Sequence, residues 1–196
     1  KISKCWSKIE NFNQNFNLAF LSRGYKRATS GFVLATNDSK VDTIGDEPFQ
    51  IFKKFKNLKV AVDENRSNGI KNLIQMFPSL DAIVLDDVFQ HRYINLKLNI
   101  LLTSYNKPFF EDYLPPIGTL RETVKGMQRA NVIVVTKCPI NMENKEKELI
   151  SRKLKLKTNQ DLFFAKLADT FSQPKDIYKE AATTTAATAA ATAAAT

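Results

Sequence analysis

One stretch, Ala82 to Arg92 (AIVLDDVFQHR), constrains this chain more than any other. Four apolar residues run without alternation straight into two carboxylates, Asp86 and Asp87. An apolar run that short and dense is the pattern of a strand buried on both faces, as in a parallel α/β sheet. Ligands of such sheets gather beyond the carboxyl ends of the strands. Paired aspartates delivered to that edge form the Walker-B arrangement, in which a carboxylate reaches Mg2+ held by nucleotide phosphates. Adjacent side chains of a strand point to opposite faces, so one of the two is expected to face the metal directly. The alternative is a solvated Asp-Asp turn that merely ends a strand, and the neighbouring segments decide between the two.

Upstream, Lys59 to Asp63 (KVAVD) is the next strand, and Arg66 opens a helix whose apolar residues include Ile70, Leu73, Ile74 and Phe77. Pro78 stops that helix, and the Ala82 strand follows. Strand, helix, strand is the βαβ unit of a parallel sheet. An earlier strand, Asn17 to Leu21, leads into SRGYKR, where Gly24 permits a tight turn and Arg23, Lys26 and Arg27 put cations at the same edge. Gly45-Asp46-Glu47-Pro48 precedes Phe49, Phe52 and Phe55 at helical spacing. Acidic residues and a proline in a first turn are explained by the helix dipole and by N-terminal preference alone. The functional alternative makes one of the two carboxylates a general base or a metal ligand. Beyond the aspartates, Gln90, His91 and Arg92 stay near the edge; His91 is the only histidine, and a structural hydrogen bond is the competing role.

Farther along, Leu98 to Thr103 reads as another buried strand, and Tyr105 to Pro116 as a loop rich in aromatics and proline. A short helix is expected from Leu120 to near Gly126, and a strong strand from Asn131 to Thr136. An amphipathic helix follows from Met142 to Leu156, with Leu149, Ile150 and Leu154 inward, and a further strand from Leu162 to Leu167. Lys1 to Gln14 reads as the end of a helix with Ile2, Trp6 and Ile9 near one face. From Ala181 to Thr196 only Ala and Thr occur, with no amphipathic face, which suits a frayed low-complexity tail. The expected organisation is one α/β domain over 1–168, a linker over 169–180 and the tail over 181–196.

A net charge of +9 points to anionic partners: nucleotide phosphates, acidic headgroups or nucleic acid. Nucleic acid is not expected, because no basic stripe interleaved with aromatics and no known motif is found. Cys5 and Cys138 have neither metal-site spacing nor a disulfide framework. No run reaches transmembrane length.

SRGYKR (Ser22 to Arg27), GDEP (Gly45 to Pro48), LDDVFQHR (Leu85 to Arg92), LPPIGTLRE (Leu114 to Glu122) and VVTKCP (Val134 to Pro139) occur in one order. Together they resemble the tetraacyldisaccharide 4'-kinases, the lipid A 4'-kinases of Gram-negative bacteria, particularly the Bacteroidetes-like branch. The resemblance runs from about Phe20 to Phe164.

It implies a P-loop-NTPase-like parallel sheet flanked by helices. The implied activity moves the γ-phosphoryl of ATP, with Mg2+, to the 4'-hydroxyl of an acylated disaccharide 1-phosphate. The implied location is the cytoplasmic face of the inner membrane, with the lipid substrate and the membrane surface as partners. Asp46 falls at the catalytic carboxylate of that family, with His91 as a second catalytic candidate. Glu47, Asp86 and Asp87 fall at the metal carboxylates. Arg23, Tyr25, Arg66, Gln90, Arg121 and Glu122 fall at positions for phosphate or substrate contact.

Three features depart from the family pattern. Val88 stands where a small residue follows the aspartates. No G-x-x-x-x-G-K-[ST] occurs, although the family carries that loop upstream of SRGY. The family's C-terminal histidine pair has no counterpart. The chain is therefore expected to be a fragment incomplete at both ends and inactive by itself. The rival readings are a non-enzymatic basic module for anionic lipid or nucleic acid, and another P-loop kinase or GTPase with a different acceptor.

Overall fold

The computed structural model describes residues 16–166, so the helix expected over Lys1 to Gln14, the linker and the Ala/Thr tail lie outside the described residues. The chain divides into two compact units, one ending at Lys97 and the other beginning at Leu98.

The first unit is built on a four-stranded sheet of order β2-β3-β1-β4, from β1 (Leu18–Ser22), β2 (Val33–Leu34), β3 (Lys59–Val62) and β4 (Ala82–Leu85). β1 pairs in parallel with both β3 and β4, and β2 lies antiparallel on β3. The registers set Phe20 beside Val60 and Val84. At the amino edge, Asp81 fixes the start of β4 against β1. Its carboxylate accepts from Asn17 N at 2.7 Å, and its own N–H donates to Asn17 O at 2.9 Å.

Side chains of β1 alternate between two cores. Leu18 and Phe20 pack with Ile51 and Phe55 around the helix α2 (Asp46–Lys54), which follows the short α1 (Val41–Ile44). Ala19 and Leu21 pack with Ile70 and Leu73 of α3 (Arg66–Met76) on the opposite face. Each large apolar side chain so buried contributes about 1.5–3 kcal/mol. The apolar run of β4 had predicted a strand buried on both faces. Ala82 and Ile83 are buried, but Val84 and Leu85 are half-buried, because β4 is the last strand of this sheet.

The second unit holds a parallel sheet of order β5-β6-β7, from β5 (Ile100–Ser104), β6 (Val132–Cys138) and β7 (Asp161–Lys166). Ile133 and Val135 of the central strand are buried. The expectation of a buried strand over Leu98 to Thr103 is corrected: β5 pairs on one side only, and Ile100 and Leu102 are exposed. The helix expected from Leu120 to Gly126 is a 3-10 segment over Val124–Arg129. In α4 (Asn144–Leu154), Leu154 is buried and Leu149 faces outward, so the predicted inward stripe is narrower than the apolar residues suggest.

Helix and strand approach closely at Gly69 of α3, where an added Cβ would sit 2.8 Å from Leu21 Cδ2 and 3.1 Å from Asp63 Cβ. Gly69→Val is therefore expected to destabilise the chain by about 1–3 kcal/mol, read as a lower urea midpoint. An unchanged midpoint would contradict this packing.

Candidate functional site at the carboxyl edge of the first sheet

β1, β3 and β4 end together. Ser22 O accepts from Asp63 N at 3.0 Å, and Leu21 O accepts from Asp86 N at 3.0 Å. The loops carrying SRGYKR, Asp63 and the Asp86-Asp87 pair thus leave one edge, where an α/β sheet binds its ligands.

Arg66, the first residue of α3, lies across this edge and is 1% exposed. Its Nη1 donates to Asp63 O at 2.6 Å and its Nη2 to Asp86 O at 3.1 Å, while Nε has no hydrogen-bond partner. Burial lowers the pKa of the guanidinium; the charges of Asp86, Asp87 and Asp63 oppose that shift, and Arg23 adds to it. Asp63 is buried as well, and accepts from Asn65 N and Asn68 Nδ2, each at 2.8 Å. The Asn65 side chain caps α3 by accepting from Asn68 N at 3.1 Å.

Asp86 is half-buried and titrates above the ordinary range of an aspartate. Burial is the main cause, followed by the negative charges of Glu47 and Asp87, while a 3.4 Å contact from Ser22 Oγ and the charge of Arg66 pull the other way. Glu47 and the aspartate pair, distant in sequence, therefore share one electrostatic environment. Asp87 is exposed, with a left-handed backbone at φ 51° that aspartate tolerates better than most residues. Val88 is buried.

Two glycines bring the SRGY and GDEP segments together. Gly24 (φ 69°) and Gly45 (φ 89°) face each other so closely that a Cβ on Gly45 would lie 3.1 Å from Tyr25 O and 3.3 Å from Gly24 Cα. Asp46 and Glu47 are the first two residues of α2, and both are exposed. Gly45 is the N-cap and has no side-chain capping bond, so the two acids complement the helix dipole without closing its amides. Tyr25 is exposed, with Lys26 Nζ 5.4 Å from its ring centroid.

The sequence puts Arg27 among the cations at this edge, but the fold holds its side chain internally. Its side chain is buried, pairs with Glu64, and donates to Gly31 O at 2.6 Å and Thr29 Oγ1 at 3.3 Å. Glu64 also accepts from Gly31 N at 2.7 Å, and its pKa falls to about 2, mainly through that bond. Sequence reasoning gave no role to Glu64, Asp63 or Ser22. The signal available was their position at strand ends beside the motifs.

His91 is half-buried and its Nδ1 lies 2.6 Å from Tyr93 OH, while Gln90 is exposed. Arg121 and Glu122 belong to the second unit. Arg121 is exposed, and both oxygens of Glu122 accept from Arg129 Nη2, at 2.7 and 3.0 Å.

Among the described residues, no three His, Cys, Asp or Glu side chains form a metal cage. The donors present, carboxylate oxygens, suit Mg2+, which takes one or two protein carboxylates and completes its shell with phosphates and water. The residues at this edge therefore fit that ion.

The sheet and its charged carboxyl edge place the chain in the P-loop-NTPase-like α/β class. A family model described as LpxK, tetraacyldisaccharide-1-P 4'-kinase, matches residues 9–195, and the chain belongs to that family. The chain is 43% identical over 176 residues to the tetraacyldisaccharide 4'-kinase of Bacteroides fragilis, covering 89% of this chain and 46% of that protein. With the enzyme of that name from Flavobacterium johnsoniae it shares 46% identity over 156 residues, 80% of this chain and 46% of that protein. The chain thus spans about half the length of the curated relatives it matches. Among solved structures, the "apo" form of LpxK from Aquifex aeolicus in complex with ATP is similar in fold, with a TM-score of 0.59 and 23% identity. That likeness covers 86% of this chain and 68% of the other.

The environment of Asp86 has a measurable cost. A carboxyl whose pKa is raised on folding binds its proton more tightly in the folded state, so stability falls as pH rises from the unfolded value, about 3.9, through the folded one. Asp86→Asn is expected to raise the melting temperature at pH 7, with the gain over the unaltered chain shrinking as pH approaches 4. A difference independent of pH would contradict the assigned environment.

Proposed function

We propose that this chain forms the carboxylate-bearing part of a kinase that uses ATP and Mg2+ to phosphorylate the 4'-hydroxyl of a tetraacyldisaccharide 1-phosphate in lipid A biosynthesis. The observation that carries this reading is the convergence of GDEP and LDD on one edge, expressed in the influence of Glu47 on the half-buried Asp86. Phosphoryl transfer needs positioning and charge neutralisation more than covalent chemistry. Carboxylates beside a buried guanidinium suit that need.

In this reading, Asp46 accepts the proton of the 4'-hydroxyl as that oxygen bonds to the γ-phosphorus and the bond to the β-phosphate oxygen breaks. Exposure at the start of α2 leaves Asp46 open to an acceptor. Glu47, Asp86 and Asp87 would hold Mg2+, which would supply neutralisation of phosphate charge. Arg66 fixes the backbone beneath the aspartates through Asp63 O and Asp86 O. Arg23, Tyr25 and Gln90 meet phosphate or acceptor, and His91 assists in handling the proton; for Arg121 and Glu122 the family resemblance implies substrate contact.

No G-x-x-x-x-G-K-[ST] occurs in the chain, so the backbone cradle and lysine that such a loop supplies are not among its residues. The reaction is assigned to the cytoplasmic face of the inner membrane. No helix among the described residues is long and apolar enough to cross a membrane.

A chimera tests this directly, with the chain replacing the matching segment of the F. johnsoniae enzyme. The chimera is expected to phosphorylate the disaccharide, and Asp46→Asn to cut kcat by about 10² or more while Mg·ATP binding persists. The chain alone should show neither micromolar Mg·ATP affinity in calorimetry nor turnover. Near-normal kcat in the Asp46→Asn chimera would reduce Asp46 to a dipole partner of α2, and an inactive unaltered chimera would contradict the assignment.

A further inference from the structure

The second unit carries an apolar loop that the proposed chemistry does not use. Residues 113–119 (YLPPIGT) contain no acidic or basic side chain, in a chain of net charge +9. Tyr113, Leu114 and Ile117 are 65, 42 and 83% exposed. Scattered single apolar side chains on a surface need no explanation, but a contiguous set marks a contact with a partner.

The loop is held open by its own neck. Leu120 N donates to Tyr113 O at 3.0 Å, and Gly118 N to Leu114 O at 3.2 Å. The Asp112 carboxylate accepts from Tyr113 N at 2.8 Å, from Thr119 N at 3.1 Å and from Thr119 Oγ1 at 2.5 Å, which brings its pKa to about 2. A Cβ on Gly118 would collide with Tyr113 O, so the two arms of the neck are in contact. The apolar side chains at the tip therefore stay outside because the neck fixes the backbone that carries them.

Charge is arranged around the neck, not on the tip. Lys107 Nζ lies 3.2 Å from Thr119 Oγ1 and 3.6 Å from Asp112 Oδ2, and Arg121 and Lys125 are exposed just after the loop. The nearby acids Glu111, Asp112 and Glu122 are matched by Lys153, Lys107 and Arg129. An apolar tip with a tyrosine at its shoulder and cations behind it is the distribution of an interfacial anchor, whose apolar side chains enter the acyl boundary while its cations meet anionic headgroups.

We propose that the Tyr113–Ile117 loop is a membrane-surface anchor that inserts its tip into bilayers containing anionic lipid. This deepens the reading above, in which the acceptor is a lipid. The test uses neither nucleotide nor disaccharide, so its failure would leave the kinase reading standing.

The probes are phosphatidylcholine vesicles with and without an equimolar share of phosphatidylglycerol, mixed with the full chain and separated by sedimentation. The chain is expected to bind the anionic vesicles, with about tenfold or greater weakening for neutral vesicles. Ile117→Asp should weaken anionic binding by about tenfold or more, with an unchanged circular dichroism spectrum because the side chain is exposed. With Trp6 replaced by Phe, Tyr113→Trp should show blue-shifted emission on binding and quenching by brominated lipid. The proposal is overturned if the unaltered chain ignores anionic vesicles or binds neutral ones equally well, if Ile117→Asp binds like the unaltered chain, or if the tryptophan at 113 is not quenched.

Discussion

The buried guanidinium of Arg66 is the interaction on which the first unit's functional edge depends. β3 and β4 do not pair with each other; both pair with β1. Arg66 reaches from the start of α3 to Asp63 O and to Asp86 O, and so joins the ends of those two strands. A lone charge taken from water is costly, and Arg66 is compensated by two carbonyls and by the charges of Asp63, Asp86 and Asp87. The carbonyls fix geometry, while the carboxylates supply the opposing charge. Losing the carbonyl partners would leave the buried cation without its hydrogen bonds, whereas the carboxylate charge at Asp86 carries a cost of its own.

The same arrangement stores an imbalance. Asp86 is half-buried among Glu47 and Asp87, and the Arg66 charge does not fully offset them. Asp87 adds an uncommon left-handed backbone at the same place. Groups held in such conditions work against stability, and they are characteristic of sites where a bound ligand later supplies the missing compensation. A divalent cation meets that need with charge, and oxygen donors alone suffice to hold it. The loop from Tyr113 to Ile117 is another feature that is unfavourable in water, and a lipid surface would relieve it.

Much of the first unit was legible because its signals are local. Dense apolar runs gave β1, β3 and β4, and Pro78 marks the end of α3 by lack of a donor. The ordered motifs pointed to the family to which the chain belongs. Features that depend on what lies alongside were not legible. Val84 and Leu85 are as apolar as Ala82 and Ile83, yet β4 is a terminal strand and leaves them half-buried. Leu149 and Leu154 both fit a helical stripe, but only Leu154 is buried. Arg27 and Arg23 look alike in SRGYKR, and only the fold reveals that Glu64 and Gly31 claim Arg27. For Arg66 the family resemblance implies a phosphate or substrate contact; what the sequence does not show is that the fold buries its guanidinium against Asp63 O and Asp86 O and leaves one donor, Nε, unsatisfied.

The central claim is that the fold presses Glu47 and the aspartate pair into one electrostatic unit. It is tested most directly by following the side-chain carboxyl carbon of Asp86 through a pH titration by NMR, in the unaltered chain and in Glu47→Gln. The account predicts a pKa for Asp86 above the ordinary aspartate value, about 3.9, which moves down when the charge of Glu47 is removed. An Asp86 that titrates at the ordinary value, or that does not respond to Glu47→Gln, would contradict it.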